Sequence, residues 1–142
     1  MSVSDFMTPN PVKVGTEHTL ASIRELFEEH HFHHVLVTEH GKLVGIISDR
    51  DVLKALSPFV GKYEEELRDT HTMIKRAYEL MTRDPITVSP EAPIIEAVRL
   101  MHEKGLSCIP VVNSSKQPLG ILTWRDLVRA MLEHSYRKKP KD

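Results

Sequence analysis

The chain is poor in the features that mark many protein classes. It holds one cysteine, Cys108, so no disulfide can close within it, which suits a reducing cytoplasm. No stretch approaches the roughly 18 apolar residues of a bilayer-crossing helix. The opening Met1-Ser2-Val3-Ser4-Asp5 lacks the basic and apolar regions of a secretion signal. Net charge is nearly absent, with 19 Lys and Arg against 20 Asp and Glu, so no global field would hold nucleic acid or an anionic membrane. There is no Gly-x-x-x-x-Gly-Lys loop, no paired catalytic carboxylates and no nucleophile–base pattern, which argues against an enzyme. The expectation is a soluble, cytoplasmic, non-catalytic protein. Its 142 residues suit one ordinary domain or a compact pair of small ones.

What the sequence does have is an internal repeat. Met7-Thr8-Pro9-Asn10-Pro11-Val12-Lys13-Val14 returns 74 residues later as Met81-Thr82-Arg83-Asp84-Pro85-Ile86-Thr87-Val88. Gly45-Ile46-Ile47-Ser48-Asp49-Arg50-Asp51 returns 75 residues later as Gly120-Ile121-Leu122-Thr123-Trp124-Arg125-Asp126. The inserted residue falls between Glu39 and Lys42 in one copy and between Asn113 and Pro118 in the other, in polar segments carrying Gly or Pro, as turns do.

Each copy carries the same order of periodicities. An extended piece follows Pro11 or Pro85. A helix follows, with Leu20, Ile23, Leu26 and Phe27 at helical spacing in one copy and Ile94, Ile95, Val98 and Met101 in the other. Pro93 suits a first helical turn. Two apolar runs flank the turn and read as a strand pair. A closing helix starts after Ser48 or Thr123, with apolar faces Val52, Leu53, Leu56 and Leu127, Val128, Met131. The predicted fold is α/β (α+β): two β-α-β-β-α repeats, each an open sheet bare on one face, packed with pseudo-two-fold symmetry. The boundaries read as 1–57 for the first repeat, 58–76 for a helical connector, 77–134 for the second repeat and 135–142 for a basic tail, solvated and frayed. The connector contains Pro58 and Gly61, and Leu67, Ile74, Ala77 and Tyr78 share one face of its helical part.

The opening Met-Thr-x-x-Pro, the central strand pair and the closing Gly-apolar-apolar-Ser/Thr-x-x-Asp resemble the CBS domain, named after cystathionine beta-synthase. The resemblance covers both repeats, in register. It implies a regulatory module that holds adenosyl ligands in clefts between two repeats, with AMP, ADP or ATP as the expected regulatory ligand and no catalytic cofactor. It also implies association into flat discs, and apolar helix faces make a homodimer the expected state. No effector domain accompanies the repeats, so the regulated protein is expected to be a separate, unidentified partner.

Two segments stand where strand gives way to helix. A helix start offers unpaired N–H groups and the positive dipole end, both suited to phosphate. The hydroxyl of Ser48 or Thr123 can donate to a phosphate oxygen, and the carboxylate of Asp51 or Asp126, one turn on, can accept from two ribose hydroxyls. The resemblance gives these four residues those roles. The same spacing also fits a capping box, in which hydroxyl and carboxylate serve only the helix end; the two readings are compatible. By resemblance, the adenine slot of the Thr123/Asp126 site adds Val12, Lys13, Phe32 and His33 to its own Ile121. The Ser48/Asp51 site adds Ile86, Thr87, Leu106 and Ser107 to its own Ile46. The apolar members serve equally as core. Arg50, Arg125, Lys13, His33 and His34 are candidates for further phosphates, or plain surface charge. Phe32 can stack on a base or fill the pocket; the stacking reading favours Thr123/Asp126 as the tighter site.

His30, His31, His33 and His34 form a tempting metal cluster, but neighbours entering a strand face opposite ways, so convergence on a metal is not expected. Cys108 aligns with His34 and reads as a small buried hydrophobe. Trp124 stands in the place of Asp49. The alternative to a ligand sensor is an interaction protein with degenerate pockets that mediates dimerisation and partner binding.

Overall fold

The computed structural model describes residues 1–56 and 73–138, and side chains as far as residue 135. Most of the expected helical connector, with Pro58, Gly61 and Leu67, lies outside the described residues; of its expected helical face, Ala77 and Tyr78 enter a short helix, but Ile74 is in a turn, cut off from them by the extended backbone of Arg76. The chain divides into two compact units, Val12–Pro85 and Met1–Pro11 with Ile86–Asp142.

The Val12–Pro85 unit contains β2 (Lys13–Gly15), α1 (Leu20–Glu29), β3 (His34–Glu39), β4 (Lys42–Ser48), α2 (Asp49–Leu56), α3 (Ala77–Leu80) and β5 (Thr82–Arg83). Its sheet runs β2-β3-β4-β5, with β2 parallel to β3 and the other neighbours antiparallel. The hairpin turn places His40 at φ 52° and Gly41 at φ 78°. Two consecutive positive φ values are what a two-residue turn matched to strand twist requires. Thr19 caps α1, its Oγ1 accepting from Ser22 N at 3.2 Å. Leu20 and Ile23 bring α1 onto Val14, Val35, Val37 and Ile47, with Val52 and Ala77 completing the core.

The other unit contains β1 (Thr8–Pro9), α4 (Ile94–Lys104), β6 (Cys108–Val112), β7 (Pro118–Thr123) and α5 (Trp124–Lys138), with a 3₁₀ turn at Val3–Asp5. Its sheet runs β1-β7-β6, all antiparallel, and Val88 bridges Val111 in parallel. Gly105 ends α4 at φ 64°, a left-handed position that suits glycine. The turn between β6 and β7 is closed by Asn113, whose Oδ1 accepts from Ser115 N and Gln117 N at 3.0 and 2.9 Å. Val3 and Phe6 join Ala97, Met101, Ile109, Val111, Leu122, Leu127 and Ala130 in the core.

Sequence repeats and compact units are therefore cut differently. The Met-Thr-x-x-Pro opening of each repeat supplies an edge strand to the sheet of the other repeat: Thr8 faces Ile121 and Pro9 faces Gly120, while Thr82 faces Ile46 and Arg83 faces Gly45. Gly45 and Gly120 are glycines because a methionine lies where a side chain would stand. A Cβ on Gly45 would meet the Met81 side chain; one on Gly120 would meet Met7 and come within 2.8 Å of the Thr8 carbonyl.

The β-α-β-β-α order is present twice, but several helix faces differ from expectation. Ile95, Leu53, Val128 and Met131, placed on apolar faces by their spacing, are exposed, with Met131 at 73%. Ala97 and Ala130 take buried places instead, because the small residue lets the helix approach its sheet. The two sheets are also unequal, with four strands and three.

Candidate functional site

Both cap segments form as the spacing requires. In the Val12–Pro85 unit, Ser48 N donates to Asp51 Oδ2 at 2.8 Å and Asp51 N donates to Ser48 Oγ at 3.1 Å. This is a reciprocal cap that satisfies two otherwise orphaned N–H groups. Asp51 is partly exposed. Among the described residues its Oδ1 has no hydrogen-bond partner, so one edge of the carboxylate is open for a further donor.

The second cap is built from the same parts and finished differently. Thr123 N and Thr123 Oγ1 donate to Asp126 Oδ2 at 2.9 and 3.1 Å, and Asp126 N donates to Thr123 Oγ1 at 3.4 Å. Two more donors then take Asp126 Oδ1: Thr8 Oγ1 at 3.2 Å and Arg129 Nη2 at 3.0 Å. The same Arg129 nitrogen donates to the Phe6 carbonyl at 2.7 Å. Asp126 is 2% exposed, a buried charged residue made tolerable by four donors, one of them the Arg129 cation. Thr8 and Arg129 are the partners of Asp126 that the sequence reading missed. Arg129 corresponds to Lys54 across the repeat, and that difference was the available signal.

The residues beside each cap also differ. His34 lies opposite Ser48 in the ladder, and Cys108 lies opposite Thr123. Burial holds the His34 imidazole below its ordinary pKa, with the positive charge of a protonated His33 acting the same way and the Asp49 and Asp51 carboxylates opposing it. Burial pushes the Cys108 thiol up to about 12. His33 Nδ1 lies 2.9 Å from Asp49 Oδ2, both exposed, and Asp49 N donates to the His33 carbonyl. Trp124, in the place of Asp49, is half exposed, and its backbone N–H donates to the Ser107 carbonyl. Phe32 packs against Phe27 and His30, with ring centroids 5.2 and 5.6 Å away. Among the described residues no three His, Cys, Asp or Glu side chains converge as metal ligands.

Of the residues expected in the sites, Val12, Lys13, Phe32, His33, Ile46, Ser48, Arg50 and Asp51 belong to the Val12–Pro85 unit. Ile86, Thr87, Leu106, Ser107, Ile121, Thr123, Arg125 and Asp126 belong to the other. Each unit thus brings together a cap hydroxyl, a cap carboxylate and the strand isoleucine two residues before the hydroxyl. The slot residues that the resemblance adds to each carboxylate come from the opposite unit. Arg50 and Arg125 are exposed, with no ion pair among the described residues. A cleft of about 400 Å³, lined by Thr16, Glu17, Glu39, Val44, Tyr78, Met81, Arg83 and Asp84, opens at the hairpin end of the four-stranded sheet, away from Ser48, and contains none of the expected site residues. Among the described residues no helix is long and apolar enough to cross a membrane.

A model of the CBS domain matches residues 3–58 and 77–133. The chain belongs to the CBS domain family and carries two copies of the domain. It is 31% identical over 139 residues to an uncharacterized protein of Methanocaldococcus jannaschii, covering 98% of this chain but 47% of that one. It spans no more than 24% of the next three curated relatives, less than a quarter of their length. Among solved structures, CBSX2 of Arabidopsis thaliana in complex with AMP is 31% identical, with a TM-score of 0.80 over 94% of this chain and 98% of that one. The CBS domain pair of protein MJ0100, in complex with 5′-methylthioadenosine and S-adenosyl-L-methionine, is 27% identical, with a TM-score of 0.77 over 94% and 98% of the two chains.

Proposed function

We propose that this chain is a regulatory module that binds an adenine nucleotide or another adenosyl ligand and signals to a separate protein. The observation that carries the reading is the hydroxyl–carboxylate pair opening the last helix of each repeat, and above all the open edge of Asp51. A ribose presents two adjacent hydroxyl donors, and a carboxylate edge accepts them; the helix N-terminus and the Ser48 hydroxyl suit the phosphate beyond. Ile46 or Ile121 offers an apolar face to the base, joined by Ile86, Thr87, Leu106 and Ser107 or by Val12, Lys13, Phe32 and His33. Arg50 and Arg125 are free to meet additional phosphates, which keeps AMP, ADP and ATP all in view. The ligands named for CBSX2 and the MJ0100 pair support an adenosyl group as the common element. The buried, protonated Cys108 thiol is unsuited to nucleophilic attack, and nothing in the sequence supplies a base for it. The module is therefore read as a non-enzyme in a reducing compartment.

The test is a thermal-shift screen with AMP, ADP, ATP, NAD, S-adenosylmethionine and cyclic dinucleotides. A ligand at 100 times its dissociation constant adds about 2.7 kcal/mol. No shift with any of them overturns the sensor reading. One observation would then favour an interaction protein. Trp124, Val128, Met131 and Leu132 leave an exposed apolar stripe along α5, of the kind a homodimer or partner would cover.

A further inference from the structure

The two cap carboxylates are chemically alike and differ in what already occupies them. Asp126 Oδ1, the edge a ribose would need, is held by Thr8 Oγ1 at 3.2 Å and Arg129 Nη2 at 3.0 Å. The equivalent edge of Asp51 has no partner among the described residues, although the repeat places Thr82 where Thr8 stands and Lys54 where Arg129 stands. Both threonines sit on two-residue edge strands in the same register, Thr8 opposite Ile121 and Thr82 opposite Ile46. The backbone therefore does not account for the difference. The residue three positions after each carboxylate does. A guanidinium carries several donors in a rigid fork and keeps its charge, whereas a lysine ammonium is a compact, strongly hydrated point charge on a flexible stem. Arg129 spans the carboxylate and the Phe6 carbonyl together, which fixes the segment leading to Thr8 and brings the threonine hydroxyl onto the same oxygen. Lys54 is exposed and makes no such clasp among the described residues.

We propose that Arg129 is the residue that sets ligand stoichiometry: with Thr8 it latches Asp126 shut, so the chain takes one adenosyl ligand, on Asp51, and the Arg129/Lys54 difference decides which carboxylate is used. This rests on the sensor reading above and reverses the preference for Thr123/Asp126 drawn from Phe32. The latch makes Asp126 a fastening between α5 and the exchanged N-terminal strand of its own unit. It also explains why the chain keeps the pair Thr123/Asp126 while presenting so little of it to solvent.

The experiment is a pair of reciprocal exchanges read by isothermal titration. The probe is whichever of AMP, ADP, ATP and S-adenosylmethionine binds the unmodified chain most tightly. The unmodified chain binds one equivalent. Arg129→Lys, which installs the residue of the first repeat and keeps the charge, raises the stoichiometry towards two. Thr8→Val, which removes one donor at nearly constant shape, moves it the same way. Lys54→Arg extends the latch to Asp51 and weakens binding at least tenfold. Circular dichroism of each variant identifies one that has lost its fold, and because Lys54→Arg reports on the other unit, a misfolded Arg129 variant leaves a decisive measurement. Two equivalents of equal affinity on the unmodified chain overturn the proposal. So does an unchanged stoichiometry in folded Arg129→Lys, and so does an unchanged affinity in folded Lys54→Arg. No binding of any probe to any of these proteins overturns the sensor reading, and this inference with it.

Discussion

The start of α2 and the start of α5 descend from one motif and have been finished in opposite ways. At α2 the carboxylate of Asp51 makes the minimal cap and keeps one oxygen open. At α5 the carboxylate of Asp126 carries four donors and is almost wholly withdrawn from water. The flanking position follows suit: a titratable imidazole at His34 in one, a thiol at Cys108 in the other. A duplicated motif therefore need not be a duplicated site. Burying a charge is tolerable only when every lone pair is answered, and answering every lone pair removes the group from ligand chemistry.

The sharpest way to test that difference is to remove each carboxylate. Asp126→Ala strands the Thr8 and Thr123 hydroxyls and an Arg129 guanidinium that is half exposed, and should cost about 3 kcal/mol, below the upper range for a broken buried ion pair because water reaches the arginine. Asp51→Ala loses an ordinary cap and should cost about 1 kcal/mol. Chemical denaturation of both variants checks the ordering, and equal losses would erase the distinction. The matched glycines come next. Gly120→Ala forces a Cβ against the Thr8 carbonyl as well as Met7, and should cost about 2–3 kcal/mol; the nearest contacts of Gly45→Ala all lie on the Met81 side chain, its Cβ included at 2.9 Å, and about 1–2 kcal/mol is expected. Equal melting temperatures for these two would mean that the edge strand at Thr8 yields as easily as a side chain.

The smallest effects concern titration. His34 has a folded-state pKa below its unfolded value near 6.5, so the unfolded chain binds the proton more readily. The stability this imidazole contributes is complete above about pH 6.5 and is lost as pH falls from there through the lower folded-state value. His34→Gln should flatten the acid limb of the denaturation midpoint against pH, and an unchanged limb would contradict the assignment. Cys108 gives the opposite limb: its thiol ionises in the unfolded chain before it does in the folded one, so stability falls as pH rises above about 9. A thiol-reactive probe at pH 8 should label Cys108 slowly in the native protein and rapidly in denaturant.

Much of this was legible in residue order. The return of Met7-Thr8 and Gly45–Asp51 revealed two repeats, helix and strand periods gave the order of elements, and the Ser48 and Thr123 spacings gave both caps. The exchange of edge strands was not legible, because a two-residue strand carries no pattern that says which sheet it joins. The exposure of Ile95, Leu53, Val128 and Met131 was hidden by the width of a helical stripe, which admits more than one face when alanines such as Ala97 and Ala130 are free to take the core. Arg129 was overlooked because basic residues on a late helix turn usually face water; only its partners across the unit give it meaning.

The most direct measurement is the calorimetric titration of the unmodified chain beside Asp51→Asn, which keeps shape and removes the charge. Micromolar-class or tighter binding of an adenosyl ligand is expected for the former and a loss of about tenfold or more in the latter, matching about 1.5–3 kcal/mol of charge-assisted hydrogen bonding. Equal affinity of the two proteins would contradict that expectation.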